Sequence, residues 1–220
     1  MKKVVGIFIL YSMWNAWCGI LYDRAQDSII GQIAVYLQGF TRVDKVCMGW
    51  LFIHLPIQIY LSGKMSRYLH SYAIYHYMKK GSIGSLWKEQ VIAGFQYAFA
   101  YYGIGLLWVM VQLVISKQTN ILGEYKAVEF LGICLALVLF TVTVAFFILL
   151  LESLTGNYQV SFVLTLVVEL IVVLAGYWYP ALIRPQDILY GIIGNGIGLC
   201  IVTYTSFRVT KLRFGNLMLG

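Results

Sequence analysis

Residues 127–151 read AVEFLGICLALVLFTVTVAFFILLL, and after Glu129 no charged side chain interrupts the run. A helix needs ~20 predominantly apolar residues to cross the hydrocarbon of a bilayer. A run of this length and purity therefore reads as a membrane-crossing helix rather than the core helix of a soluble domain. Working outward, comparable runs occupy 4–21, 46–61, 91–115, 161–178 and 188–206. The expected fold class is all-α: a polytopic membrane protein with six transmembrane helices. They form a single transmembrane domain over residues 1–220, leaving nothing for a folded soluble domain.

The composition agrees. Hydrophobic residues make up 60% of the chain and charged residues 11%, against ~45–50% and ~25% in globular proteins. Such a chain lacks the polar, charge-rich signature of disorder. Its 17 Tyr and 6 Trp suit the membrane–water interface, where a ring with a polar tip is at home. The first run, after Lys2 and Lys3, resembles the start of a signal peptide, but no small-x-small cleavage site follows it. Trp17 beside Cys18 argues against a lipoprotein site, so the first span is expected to be retained. Cys18, Cys47, Cys134 and Cys200 lie within or beside apolar runs without CxxC spacing, which suggests packing residues rather than a disulfide framework or a zinc site.

The formal net charge of +7 acquires meaning once sorted by side. With the amino terminus inside, the inner segments carry Lys2, Lys3, Lys64, Arg67, Lys79, Lys80, Lys88, Arg208, Lys211 and Arg213 against Glu89 and Glu152. The outer segments balance Arg24, Arg42, Lys45, Lys117, Lys126 and Arg184 against Asp23, Asp27, Asp44, Glu124, Glu129 and Asp187. The excess of Lys and Arg inside sets amino and carboxyl termini in the cytoplasm. It also points to the anionic inner leaflet rather than to nucleic acid as the partner of the positive charge.

Two connections are long. The outer segment 22–45 spaces Ile29, Ile30, Ile33, Tyr36, Leu37 and Phe40 as on a helix, and is read as an amphipathic element on the outer leaflet or an extension of the first span. The inner segment 62–90, SGKMSRYLHSYAIYHYMKKGSIGSLWKEQ, is basic and rich in tyrosine; it is long enough for a helix that breaks at Gly81 to Gly84. No internal repeat or low-complexity tract is present.

Motifs for membrane-embedded chemistry are missing: there is no HExxH, G-x-S-x-G or paired acidic metal motif. His70 and His76 stand six apart, on different faces of a helix, and His54 lies in a span. Gly63 and Lys64 lack the rest of a Walker A loop, so ATP-driven work needs another polypeptide. Glu169, inside TLVVELIVV, is the costliest residue of the chain, because a charge in hydrocarbon costs at least ~2.5–3.5 kcal/mol. It reads either as a proton or substrate contact or as a hydrogen-bonded carboxyl that fixes one helix against another. Its candidate partners are Asn15, His54, Gln58, Gln96, Gln112 and Asn195. Glu129 and Glu152 fall near helix ends, within reach of headgroup water. In the last span Gly191, Gly194 and Gly198 include a GxxxG pair, which allows close helix packing within the chain or across a dimer. Pro180 and Pro185 bracket the last outer turn, where Tyr177, Trp178, Tyr179 and Tyr190 form an interfacial belt.

Six spans over nearly the whole chain, both ends inside, an outer segment after the first span and a basic inner segment between the second and third carry a resemblance. The chain resembles the small type-2 ABC transporter permeases of Gram-positive bacteria, the branch associated with bacteriocin or lantibiotic export and self-immunity. In place of the amphipathic helix with which that family often begins, only Met1, Lys2 and Lys3 precede the first span. The resemblance implies a permease subunit of the cell membrane, without its own ATPase motif, that moves a peptide or other amphipathic substrate. It further implies a second permease copy or paralogue, and ATP and Mg held by a separate ABC-type ATPase subunit. By that likeness Arg67, Tyr68, Tyr72, Tyr75, Tyr77, Lys79 and Lys80 form the coupling element that docks the ATPase. The same tyrosine-rich segment also reads as an amphipathic helix on the inner leaflet. Two other classes fit the same spans: an ATP-independent immunity or peptide-binding protein, and the substrate-binding subunit of a vitamin importer.

Overall fold

The computed structural model describes residues 2–18, 45–80, 83–115, 127–178 and 188–218, and of these all but a two-residue turn are helical. In chain order the helices are α1 (Lys2–Cys18), α2 (Lys45–Lys80), α3 (Ile83–Ile115), α4 (Ala127–Thr155), α5 (Tyr158–Trp178) and α6 (Ile188–Met218). Three segments are long and apolar enough to cross a membrane: Gly84–Gln112, Cys134–Thr155 and Ile192–Leu212, with shorter apolar helices at Val4–Trp14 and Tyr158–Ile171. The outward faces are apolar too. Phe99, Leu107 and Leu131 are each 64% exposed, and Val163, Val167 and Ile171 on α5 and Ile193, Ile197 and Ile201 on α6 form open stripes. Soluble monomers rarely expose contiguous apolar area of this kind, so the chain is a helical membrane protein. The outer segment 22–45, apart from Lys45 itself, and the turn around Pro180 and Pro185 lie outside the described residues, as do the side chains of Glu129, Cys18 and Cys47.

α4, the stretch that decided the class, is the centre of the bundle. It packs against α2, α3, α5 and α6, while α1 packs on α2 and α3. Val142, Ala145, Phe146 and Ile148 of α4 are completely buried. Its end is built locally. Gly156 adopts φ 73°, a left-handed conformation that suits glycine, and its N–H bonds the Glu152 carbonyl at 2.8 Å. Asn157 then caps α5, its Oδ1 accepting from the backbone N–H groups of Gln159 (2.9 Å) and Val160 (3.3 Å). Two residues thus reverse the chain where LTGNYQV turns from one helix to the next.

The inner segment is where structure and sequence reading part. α2 does not stop at Leu61 but continues unbroken to Lys80, and α3 starts at Ile83, well before the expected 91. Between 62 and 80 there is no proline and only Gly63 lacks a side chain, so nothing ends the helix once it has started. Pro56 sits inside α2 and removes one backbone hydrogen bond without ending it. At 36 residues α2 extends about 54 Å at 1.5 Å per residue.

α1 is fastened by its inner face. The buried Tyr11 ring lies directly against Gly105 and meets Trp14 and Tyr101 edge-on at 5.9 and 5.5 Å. Ser12 Oγ accepts from Trp108 Nε1 at 2.8 Å and from Gln112 Nε2 at 2.7 Å. On α6, a methyl at Gly198 would make ordinary contact with Thr143 of α4 at 3.7 Å, whereas one at Gly194 would meet nothing within 4 Å. The GxxxG pair therefore does not act as one seam within the chain; the surroundings of Gly191 lie outside the described residues.

Gly105→Val puts branched carbon where the Tyr11 ring lies, so it is expected to destabilise the purified protein by about 1–3 kcal/mol. Gly103→Ala, where an added Cβ meets nothing within 4 Å, is expected to leave thermal unfolding unchanged. Equal behaviour of the two variants would contradict this seating of α1.

Candidate functional site

α2 carries His54, Gln58, Ser62, Ser66 and His70 at intervals of four, so all five project from one face of the helix. The first four are buried and His70 is exposed. Each finds a partner on a neighbouring helix. His54 Nδ1 stands 2.5 Å from Tyr102 Oη of α3, which in turn stands 2.7 Å from Thr141 Oγ1 of α4. One hydroxyl thus ties three helices. Gln58 Nε2 donates to Glu169 Oε1 of α5 at 2.8 Å. Ser62 Oγ donates to the Gln58 carbonyl at 2.6 Å and lies 2.9 Å from Tyr158 Oη of α5. Ser66 Oγ donates to Glu152 Oε1 of α4 at 2.7 Å, and His70 Nε2 is 3.0 Å from the same oxygen. The result is a polar seam along α2 that grips α3, α4 and α5 in turn.

α5 meets it with a stripe of its own. Ser161, Thr165 and Glu169, also four apart, are its buried polar residues while the rest of its described surface is largely apolar and exposed. Thr165 Oγ1 is satisfied by the Ser161 carbonyl at 2.8 Å, and Ser161 Oγ by the Asn157 carbonyl at 2.8 Å. Glu169 is 6% exposed, and its second oxygen, Oε2, is buried without a hydrogen-bond partner among the described residues. In apolar surroundings no water competes for these groups, and an unpaired polar atom is costly. Each side-chain bond that crosses between helices in the seam therefore acts as a fastener. The seam also places a carboxyl, an imidazole and several hydroxyls inside the bundle, the group types that hold a polar ligand or exchange protons.

Several residues singled out from sequence meet here. Of the candidate partners of Glu169, Gln58 is the one bonded to it, and His54 sits one turn further along the same face. Gln112 instead serves α1, Gln96 is exposed, and the side chain of Asn15 lies outside the described residues. Asn195 belongs to the opposite side of α4, where its carbonyl oxygen stands 3.4 Å from Thr143 Oγ1. Glu152 departs from expectation. Rather than reaching toward water it is 6% exposed, because Ser66 and His70 of the extended α2 cover it. Among the described residues no group of three His, Cys, Asp or Glu is placed to hold a metal ion.

Beyond His70, α2 runs ten more residues, about 15 Å, to Lys80. On this hairpin with α3, Arg67 is exposed and its Nε donates to the Gly63 carbonyl at 3.1 Å; Tyr68 packs on the core, and Lys79 is exposed. Tyr72, Tyr75, Tyr77 and Lys80 occupy helical positions, but their side chains lie outside what is described. Ser62, Ser66, Tyr102, Thr141 and Tyr158 were not singled out from sequence. The four-residue spacing on α2 is the signal that finds the first two, once the helix is not ended at Leu61.

The chain matches no protein-family model, no curated protein and no solved structure.

A double-mutant cycle with Gln58→Leu and Glu169→Leu measures the fastener between α2 and α5. Bonds between membrane helices couple by about 0.6 kcal/mol on average and up to about 1.7 kcal/mol, and a coupling in that range is expected in detergent unfolding. Strict additivity of the two substitutions would remove the seam's energetic role.

Proposed function

We propose that this chain is the permease subunit of an ABC-type transporter: a multi-pass cell-membrane protein of six spans with both termini in the cytoplasm. It moves a peptide or other amphipathic substrate with ATP hydrolysed, with Mg, on a separate subunit, and pairs with a second permease copy or paralogue. The observation that carries this reading is the continuity of α2. One helix bears the polar seam from His54 to Ser66 and, without a break, the basic tyrosine-rich end to Lys80. A displacement imposed on the end is thereby delivered to the residues that hold α3, α4 and α5 together. Rigid helices bridging a docking surface and a bundle interface are a known means of transmitting such movement.

Length supports the topology. The hydrocarbon core is ~30 Å thick, so about 24 Å of the 36-residue α2 stands outside it. The hairpin partner α3, at 33 residues, is similarly overlong. Charge supports it as well. α1 begins with Lys2 at the level where Val4 and Tyr60 share a cavity wall. The carboxyl-terminal half of α6, with Arg208 and Lys211 exposed, follows Ser206, which bonds Phe146 on the half of α4 that leads to Glu152. These basic segments and the α2–α3 hairpin thus lie toward one end of the bundle, which supports reading that end as the cytoplasmic one. The apolar outer stripe of α6 is the open face on which a second permease copy would pack.

Affinity purification of the chain from its native membranes is expected to recover a nucleotide-hydrolysing subunit. Deletion of residues 67–78, or the milder Lys79→Glu with Lys80→Glu, is expected to lose it. Recovery of the intact complex from both variants would overturn the coupling assignment, and protection against a peptide that persists without any ATPase would favour an ATP-independent binding protein.

A further inference from the structure

A second feature lies on the other face of α2, away from the seam. Between α1 and the α2–α3 hairpin is a cavity of about 490 Å³ whose walls are almost entirely carbon, with Ile7 and Leu10 on one side and Pro56, Ile57, Ala100 and Ile104 on the other. Tyr97 closes one end and belongs equally to a second recess of about 200 Å³, which is lined by Lys64, Glu89 and Gln90. Lys64 Nζ sits 3.8 Å from the centre of the Tyr97 ring and donates to its hydroxyl. An apolar slot thus ends at an ammonium group held in place by a cation–π contact.

We propose that this slot and recess form a binding site for one glycerophospholipid, with an acyl chain in the slot and the phosphate at Lys64. The slot has the volume of an ordinary ligand cavity, ~300–1,000 Å³, but its exposed lining is almost wholly carbon, which suits hydrocarbon. Polarity begins only at the Tyr97 end. Along α2, Lys64 lies nineteen residues from Lys45, about 28 Å and close to one hydrocarbon thickness. Pro56 is about 12 Å back from Lys64 toward the bilayer interior. The ammonium therefore stands at headgroup depth and the slot at acyl-chain depth. Glu89 in the same recess balances the charge of Lys64, so a head that carries a phosphate and an ammonium, such as phosphoethanolamine, complements both walls. The wall is low at two places. A Cβ added at Gly6 would meet nothing within 4 Å, and Ala100 is exposed, so larger side chains there fill the slot without displacing a packed neighbour.

The site rests on α2 crossing the bilayer as proposed above, and not on coupling to an ATPase. The test is native mass spectrometry of the full chain in mild detergent with added phosphatidylethanolamine or with diacylglycerol of the same chain length. One phosphatidylethanolamine per chain is expected to stay bound. Gly6→Leu with Ala100→Leu is expected to lower occupancy by both lipids, about tenfold for the loss of a buried chain segment. Lys64→Met is expected to weaken phosphatidylethanolamine about tenfold, the scale of one hydrogen bond to a charged group, and to leave diacylglycerol unchanged. Absence of a retained lipid on the parent chain, undiminished occupancy in the filled variant, or equal loss of both lipids in Lys64→Met would each overturn the site. A chain that retains its ATPase partner but shows any of these results sinks the lipid site alone, while loss of the partner with the lipid pattern intact sinks only the transport reading.

Discussion

A polar side chain buried in a helical bundle has to find its partner within the protein, and α2 presents four such side chains, one per turn. The rest of the bundle is arranged around that demand. His54 draws in Tyr102 of α3 and Thr141 of α4; Gln58 and Ser62 hold Glu169 and Tyr158 of α5; Ser66 covers Glu152 of α4. Packing of α4 fills the centre with branched and aromatic carbon, but carbon against carbon is as well satisfied by lipid as by protein. The seam is what distinguishes one arrangement of these helices from another. It also explains why α5, which touches few elements and exposes most of its apolar surface, is nevertheless anchored at two points: by Asn157 and Tyr158 at its start and by Glu169 three turns later.

The same helix has two further faces with different tasks. One lines the carbon-walled slot beside α1, where Pro56 is part of the wall. The other is the end beyond His70, basic and tyrosine-rich in sequence, that runs ten residues past the His70–Glu152 contact. Polar seam, carbon-walled slot and basic end thus belong to one continuous rod, so the three cannot move independently.

The class of the fold was legible in residues 127–151, because twenty-odd uncharged apolar residues admit few readings, and the six runs correspond to the six described helices. The length of α2 was not. Ser62, Gly63 and Lys64 end the apolar run, and hydropathy registers the solvent of a segment rather than the continuity of its backbone. Treating 62–90 as a connection separate from the span also cut the polar stripe in two, which hid Ser66, separated His70 from it and left Glu152 looking like a headgroup contact. The cost of Glu169 was evident from TLVVELIVV alone, and Gln58 was among its possible partners. The choice of Gln58 over Asn195 depends on which helices face each other across α4, which no local pattern encodes. GxxxG on α6 differs again: within the chain Gly198 meets α4 while Gly194 faces open space, since spacing defines a helix face but not what lies opposite.

The central claim is that α2 is one rod from the buried seam to the protruding end. Ile59 and Lys79, both exposed on α2, offer positions for a pair of spin labels after substitution by cysteine, with the native cysteines replaced. Over twenty residues of continuous helix their separation by pulsed electron paramagnetic resonance in nanodiscs should be about 30 Å with a narrow distribution. A broad distribution, or one centred well below about 20 Å, would mean that the helix breaks at the interface, and that the end is not mechanically joined to the seam.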